Sequence, residues 1–210
     1  PGVTTEEILG ALVYVRQDEM PMPLLEEFFA LTRLNMKDFY DKAGEVNTEW
    51  TWSDEKKRKE LFDNEARYVV AVRAGSSSPA SSANRRRKRG DAGFIQNVDF
   101  ADVLGFVHVR FENSMNQPVL YVYELQVKAE YQSMKVGQAL MSAVEGLGTA
   151  LGCVRIGLTV FKVNKQALSF YTGRGYEELP DELRSRANSP RGGGNRNVEL
   201  ISDALATPRT

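Results

Sequence analysis

The apolar positions of the chain change period twice. Thr4-Thr5-Glu6-Glu7 sets hydroxyl caps and early-turn carboxylates ahead of Ile8, Leu12 and Val15, a spacing that predicts a first helix. Pro21 and Pro23 end it and open a second helical run through Leu24, Leu25, Phe28, Phe29, Leu31 and Leu34. Asn35 to Tyr40 continues that run and Gly44 closes it. Ser53-Asp54-Glu55 is an N-cap for a short charged helix, Lys56 to Phe62, and the charges from Asp54 to Glu60 read as a solvated face.

Strand chemistry begins at Arg67 with the β-prone run Tyr68 to Val72. Leu104 to Phe111 alternates, Asn113 to Pro118 carries turn residues, and Val119 to Val127 is a second long strand, so the two predict a hairpin. Val136, Leu140, Val144, Leu147 and Leu151 then recur at helical spacing, with Gly152 placed to end the helix. A strand over Val154 to Phe161, a short helix from Ala167 to Tyr171 closed by Gly173 or Gly175, and strands at Tyr176 to Leu179 and Val198 to Ile201 complete the pattern. A strand, helix and strand in succession imply a parallel crossover in an otherwise largely antiparallel sheet. The expectation is one α/β domain over residues 1–210. Two polar segments are read as loops that bury no core, the Ser/Arg-rich insert 75–93 and the stretch 184–196.

Composition narrows the function classes. The 210 residues are 42% hydrophobic and 26% charged, which is globular. A formal net charge of −1 excludes a general polyanion binder, so any nucleic-acid contact needs a local patch. The single cysteine, Cys153, excludes an internal disulfide framework and a thiolate zinc cluster, and favours a reducing compartment. The single histidine, His108, excludes His-His metal motifs and reads as structural. Cys153 reads as a small apolar filler. No apolar run approaches the roughly 20 residues of a membrane helix, and no secretory signal is visible. The start at Pro1 rather than Met is read as a trimmed leader.

The strongest chemical signal follows the second long strand. Glu124-Leu125-Gln126-Val127 leads into Gln132-Ser133-Met134-Lys135-Val136-Gly137-Gln138 and then the helix. Free amides at a helix start suit a phosphate or pyrophosphate, although a glycine at a strand-to-helix turn is by itself also an ordinary helix start. A second motif stands in the right order: Asn164, Ala167, Phe170-Tyr171 and Gly175-Tyr176. Together these resemble the GNAT family of acetyl-CoA-dependent acyltransferases, whose motif is Gln/Arg-x-x-Gly-x-Gly/Ala. Lys135 occupies the first glycine position, a departure that removes φ freedom where backbone approaches pyrophosphate.

The Thr32 to Met36 and Phe39-Tyr40 segments, Trp50-Thr51-Trp52, Tyr121 to Gln126 and Leu158 to Asn164 narrow the resemblance. They look like the NatD-type GNAT enzymes, N-terminal acetyltransferases selective for histone four and histone two-A. That resemblance spans about Phe28 to Tyr176. It implies a sheet splayed beside the end of Val119–Val127, with acetyl-CoA as co-substrate and no metal. Pantetheine is expected along Leu125, Gln126 and Val127, and pyrophosphate on the loop Gln132, Ser133, Met134, Lys135, Val136, Gly137 and Gln138. Asn164 is expected either to bond the CoA arm or to cap a helix. A backbone N–H near Val127 is expected to steady the oxyanion.

Glu124 lies on a strand face shared with Leu120 and Val122, an odd place for a carboxylate. A desolvated carboxylate suits a general base, so Glu124 is the base candidate on chemistry and by resemblance; a structural carboxylate held by partners is the alternative. Tyr171 stands where many GNAT enzymes keep a tyrosine near the sulfur and is the candidate acid for the thiolate, or else a packing residue. The resemblance assigns Tyr40 and Tyr123 to the peptide substrate, followed by Trp50 and Tyr121. Glu112, Asn113 and Ser114 match the acidic segment that takes the arginine of a Ser-Gly-Arg-Gly tail, with Ser114 where a carboxylate is expected. Thr159 is a candidate for holding the substrate terminus. The alternatives are a GNAT enzyme for another amine, lysine or a small molecule, or a non-catalytic acyl-CoA or histone-binding module. Arg85 to Arg89 reads equally as a nuclear-import address, a weak nucleic-acid contact or a solvated loop. A nuclear and cytoplasmic protein with no membrane contact is expected.

Overall fold

Leu9–Arg16 is a strand (β1), not the continuation of a helix; α1 is confined to Thr5–Ile8. The positions Ile8, Leu12 and Val15 satisfy a helical template, but Val13-Tyr14-Val15 is β-branched and aromatic, and burial along the segment alternates. β1 pairs antiparallel with β2 (Arg67–Arg73), from Leu9↔Arg73 to Arg16↔Arg67. The register shifts between Leu9 and Ala11, where a Cβ on Gly10 would lie 2.7 Å from the Arg73 carbonyl. Tertiary pairing with β2 overrides the local helical pattern.

A computed structural model describes residues 5–45, 50–75, 95–114, 116–179 and 197–202. The basic insert beyond Gly75, with Arg85 to Arg89, and the loop 184–196 lie outside these residues. The remaining elements are α2 (Met22–Gly44), α3 (Asp54–Leu61), β3 (Val103–Ser114), β4 (Gln117–Val127), α4 (Val136–Ala150), β5 (Arg155–Phe161), α5 (Lys165–Thr172), β6 (Glu177–Glu178) and β7 (Asn197–Ser202). The strands join in the order β1-β2-β3-β4-β5-β7-β6. β4 and β5 are parallel, as the crossover through α4 requires, whereas β5–β7 and β6–β7 are antiparallel. The expected mixed, mostly antiparallel sheet with flanking helices is present.

Packing divides the chain into two compact units, each discontinuous in sequence. The first comprises Pro1–Asn35, Asp54–His108 and Glu124–Ala143; the second comprises Met36–Ser53, Val109–Tyr123 and Val144–Thr210. In the first unit Phe28 stacks on Phe106 at 4.0 Å, and Tyr68 meets both rings. His108 is fully buried against Tyr68, rings 5.2 Å apart, as a structural histidine should be. Thr32, also fully buried, donates its hydroxyl to the Phe28 carbonyl one turn back, so α2 satisfies it internally. In the second unit Glu145 of α4 accepts a two-nitrogen contact from Arg174 and a bond from the Tyr176 hydroxyl. Burial, followed by Glu145, pushes that hydroxyl far above the usual tyrosine range, so it stays a donor. Cys153 is buried and its thiol is pushed up by desolvation, in keeping with a filler.

Two glycines separate close packing from open space. A Cβ on Gly105 of β3 would come 2.5 Å from the Gln126 carbonyl of β4, whereas one on Gly146 of α4 meets nothing within 4 Å. Gly105→Ala should therefore lower stability by about 1–3 kcal/mol through overpacking. Gly146→Ala should raise it by roughly 0.5–1 kcal/mol through helix propensity. Denaturant titration of the two variants checks both signs.

Candidate active site

β4 carries the site because its sequence turns polar where its pairing with β5 ends. The β4–β5 ladder runs from Val119↔Arg155 to Val122↔Leu158, while β5 continues its own ladder with β7 through Phe161↔Asn197. β4 extends past its last pair with β5 to Val127. On one face of that extension Glu124 and Gln126 follow Leu120 and Val122, and all four are buried.

Glu124 is buried as expected, and it is not alone. Its Oε1 accepts from Lys57 Nζ at 2.7 Å and its Oε2 from Gln126 Nε2 at 2.8 Å. The Lys57 side chain is only 5% exposed and also donates to Glu60 at 2.8 Å. This corrects the reading of α3 as a wholly solvated charged face. Lys57 and Leu61 sit one turn apart, so α3 has a buried stripe, and a lysine occupies it because a buried carboxylate receives it. Desolvation and the ammonium act in opposite directions on the carboxyl, so burial alone does not set its basicity. Surface contacts seat α3 on α2: Arg58 pairs with Glu26 and covers the Phe29 ring, and Arg33 pairs with Asp54.

The network continues from the carboxylate into α2. Asn35 Nδ2 donates to Gln126 Oε1 at 2.9 Å and to the Val127 carbonyl at 3.4 Å, and Gln132 Nε2 reaches the same carbonyl at 3.2 Å. Thus the last residue of β4 and the start of the following loop are fixed by side-chain donors.

That loop contains two non-glycine residues in the left-handed region. Ser133 and Lys135 have φ of 63° and 59°, the left-handed region, so the lysine at the first glycine position takes the glycine conformation. The Met134 carbonyl is held by the Thr5 hydroxyl at 2.7 Å, and the helical ladder of α4 first closes from Ala139 N to the Lys135 carbonyl at 3.0 Å. The amides of Val136, Gly137 and Gln138 precede that ladder, a donor cluster at a helix start. Lys135 thus sits in a left-handed conformation at a strain cost that a glycine would not carry.

The second unit gathers the aromatic candidates. Tyr40 lies edge-on to Phe161 at 4.8 Å and to Trp52 at 5.4 Å, and Trp50 meets Phe161 at 5.8 Å. Met36, Phe39 and Ala43 complete the cluster, so Tyr40 and Trp50 are packing residues as well as candidates. The Tyr121 hydroxyl bonds Thr159 Oγ1 at 2.5 Å, and the Tyr123 hydroxyl donates to Glu112 at 2.9 Å. The Arg110 guanidinium covers the Tyr123 ring at 4.6 Å. Asn113 is exposed and Ser114 half-buried at the end of β3. On α5, Asn164 caps the helix by accepting from Ala167 N at 3.1 Å. Tyr171 is buried, 5.7 Å from Tyr176.

A family model for the acetyltransferase (GNAT) family matches residues 28–176. The chain belongs to the GNAT acetyltransferase family. Solved structures share this fold. Tetrahymena GCN5 is 13% identical over 91% of this chain and 94% of its own, with a TM-score of 0.59. Arabidopsis thaliana NAA60 in complex with acetyl-CoA is 14% identical over 91% and 98%, with a TM-score of 0.55. The PaiA N-acetyltransferase from Thermoplasma acidophilum in complex with coenzyme A is 14% identical over 91% and 98%, with a TM-score of 0.52.

The GNAT assignment makes this an acetyltransferase with an acetyl-CoA-binding fold. The residues fit that co-substrate, since β4 runs on past its β5 pairs and ends in a loop whose left-handed residues lead into free helix-start amides. Among the described residues, no group of three or more His, Cys, Asp or Glu is placed to hold a metal ion, and no helix is long and apolar enough to cross a membrane. Sequence reasoning missed Lys57, Asn35, Thr5 and Gly105; only the oddity of a carboxylate and a carboxamide on one apolar strand face hints that partners exist.

The strain at Lys135 is measurable. Lys135→Gly should be about 1 kcal/mol more stable than Lys135→Ala, because both remove the charge and only glycine relieves the left-handed backbone. Paired thermal melts check this.

Proposed function

We propose that the chain is an N-terminal α-amine acetyltransferase of NatD type, acting on histone four and histone two-A tails that begin Ser-Gly-Arg-Gly. The observation that carries the reading is Glu124: a buried, doubly hydrogen-bonded carboxylate on β4 immediately ahead of the cofactor strand Leu125–Val127. The aromatic and hydroxyl residues of the second unit, and the sequence segments they come from, support the choice of substrate.

The chemistry follows from the residues. Acetyl-CoA supplies an activated acyl carbon when bound, its pantetheine along Leu125 to Val127 and its pyrophosphate on the amides from Ser133 to Gln138. An α-amine has a pKa of about 8, so a base need remove only one proton as the amine attacks. A carboxylate accepts up to about four hydrogen bonds, so Glu124 is a suitable acceptor for a water that carries the proton. A backbone N–H near Val127 steadies the oxyanion, and Tyr171 or solvent protonates the departing thiolate. Tyr40, Trp50, Tyr121 and Tyr123 wall the peptide, Thr159 holds its terminus, and Glu112 with Asn113 and Ser114 meets its arginine. On this reading the enzyme works in the nucleus and the cytoplasm.

One observation favours a second reading, a GNAT enzyme for another amine. Glu112 already accepts from the Tyr123 hydroxyl, so the carboxylate meant for a peptide arginine is engaged within the protein. Insensitivity of kcat/KM to replacing the peptide arginine would select it.

With acetyl-CoA, a Ser-Gly-Arg-Gly peptide should be acetylated and its amine-blocked form should not; equal turnover of the blocked peptide refutes α-amine chemistry. Glu124→Gln should lower kcat by about 10²-fold or more with little change in acetyl-CoA affinity. A fall in affinity alone would overturn the assignment of the base.

A further inference from the structure

Lys57 and Glu124 are both almost fully buried, with side chains 5% and 3% exposed and 2.7 Å between Nζ and Oε1. A buried ion pair is a poor way to add stability, because desolvating two charges offsets most of their attraction, and apolar residues of the same volume often do as well. α3 gives a position on its apolar stripe, in line with Leu61, to that cation. The orientation it imposes is specific. Oε1 is held by the ammonium of α3, Oε2 by the carboxamide of Gln126, and that carboxamide is oriented by Asn35 of α2. Glu60 also accepts from the ammonium, so Lys57 is itself held by two carboxylates.

We infer that Lys57 is a positioning residue for the acetyl transfer. It keeps the Glu124 carboxylate ionised and in one orientation, with the Gln126–Asn35 pair fixing the other oxygen and the strand end that precedes the cofactor loop. The inference rests on the reading of Glu124 as base. Lys57 and, next to it, Glu60 bring charge toward the carboxylate from α3, whereas Asn35 of α2 and Gln126 of β4 bring uncharged amides. Removing the cation leaves a desolvated carboxylate, whose pKa must rise. The active, ionised form is then lost at higher pH than in the parent enzyme, so the acidic limb of the rate profile moves upward and activity returns as pH increases.

The test uses the full chain with acetyl-CoA and the Ser-Gly-Arg-Gly peptide. Lys57→Met removes donor and charge, and Lys57→Gln keeps a donor, so the second variant serves if the first does not fold. Circular dichroism establishes folding for each. The expected result for both is a fall in kcat of about 10- to 100-fold near neutral pH with acetyl-CoA KM little changed. The acidic limb of kcat/KM should rise by about one pH unit or more. In a Glu124→Gln background, Lys57→Met should cost no further activity, since nothing is left to position. Folded Lys57 variants with parental kcat and an unmoved acidic limb, alongside a crippled Glu124→Gln, would overturn the positioning role and leave the base intact. A Glu124→Gln enzyme with parental kcat would instead overturn the reading of the base itself.

Discussion

Two opposite charges are held out of water on the first unit, and much of that unit's local design follows from satisfying them. A buried carboxylate with one missing partner is expensive, because the desolvation penalty of the charge is then uncompensated. Glu124 therefore requires an ammonium from α3, a carboxamide from its own strand and, through that carboxamide, an asparagine from α2. Those requirements fix the facing of α3, the side of α2 that carries Asn35, and the seating of the end of β4. The close approach of the Gln126 carbonyl to Gly105 belongs to the same constraint, because β4 lies too near β3 there for any side chain on Gly105. The polar chain ends on the Val127 carbonyl, which also receives Gln132, so the strand and the loop that follows it share one set of hydrogen bonds.

Most of the fold was legible because periodicity and punctuation agreed. α2, the hairpin strands β3 and β4, α4 with its left-handed Gly152, and β5 lie close to where pattern and turn residues place them. β1 was not legible, since three apolar residues at helical spacing are also compatible with a strand whose inward face is Ala11, Val13 and Val15. Only the partner strand, more than fifty positions away in sequence, decides between them. The site divided in the same way. Glu124 stood out because a carboxylate on an apolar strand face is locally inconsistent, and such inconsistencies concentrate at functional positions. Lys57 did not stand out, because a lysine amid Lys56, Arg58 and Lys59 is unremarkable until its distant acceptor is known.

The GNAT fold by itself supplies the acyl-donor chemistry and leaves the acceptor open, as folds generally do. The candidate substrate residues lie in the second unit. Its tyrosine hydroxyls are engaged, Tyr121 with the Thr159 hydroxyl and Tyr123 with the Glu112 carboxylate, and Tyr40 and Trp50 lie edge-on to Phe161. The same pairs also stabilise the unit, so the residues that read as substrate contacts serve packing as well, and one role does not exclude the other.

Lys135 shows where local preference has yielded to the site. A left-handed lysine is disfavoured by about 1–2 kcal/mol relative to glycine, and Ser133 repeats the penalty two residues earlier. Strain of that kind persists only where surroundings over-determine the backbone. The surroundings here are identifiable: Thr5 on the Met134 carbonyl, Gln132 on the Val127 carbonyl, and the first turn of α4 closing on the Lys135 carbonyl itself. Three independent anchors hold the loop, so the helix-start amides of Val136 to Gln138 are set before any ligand arrives. The departure from the family motif thus keeps a left-handed backbone at Lys135 and meets its strain with these anchors.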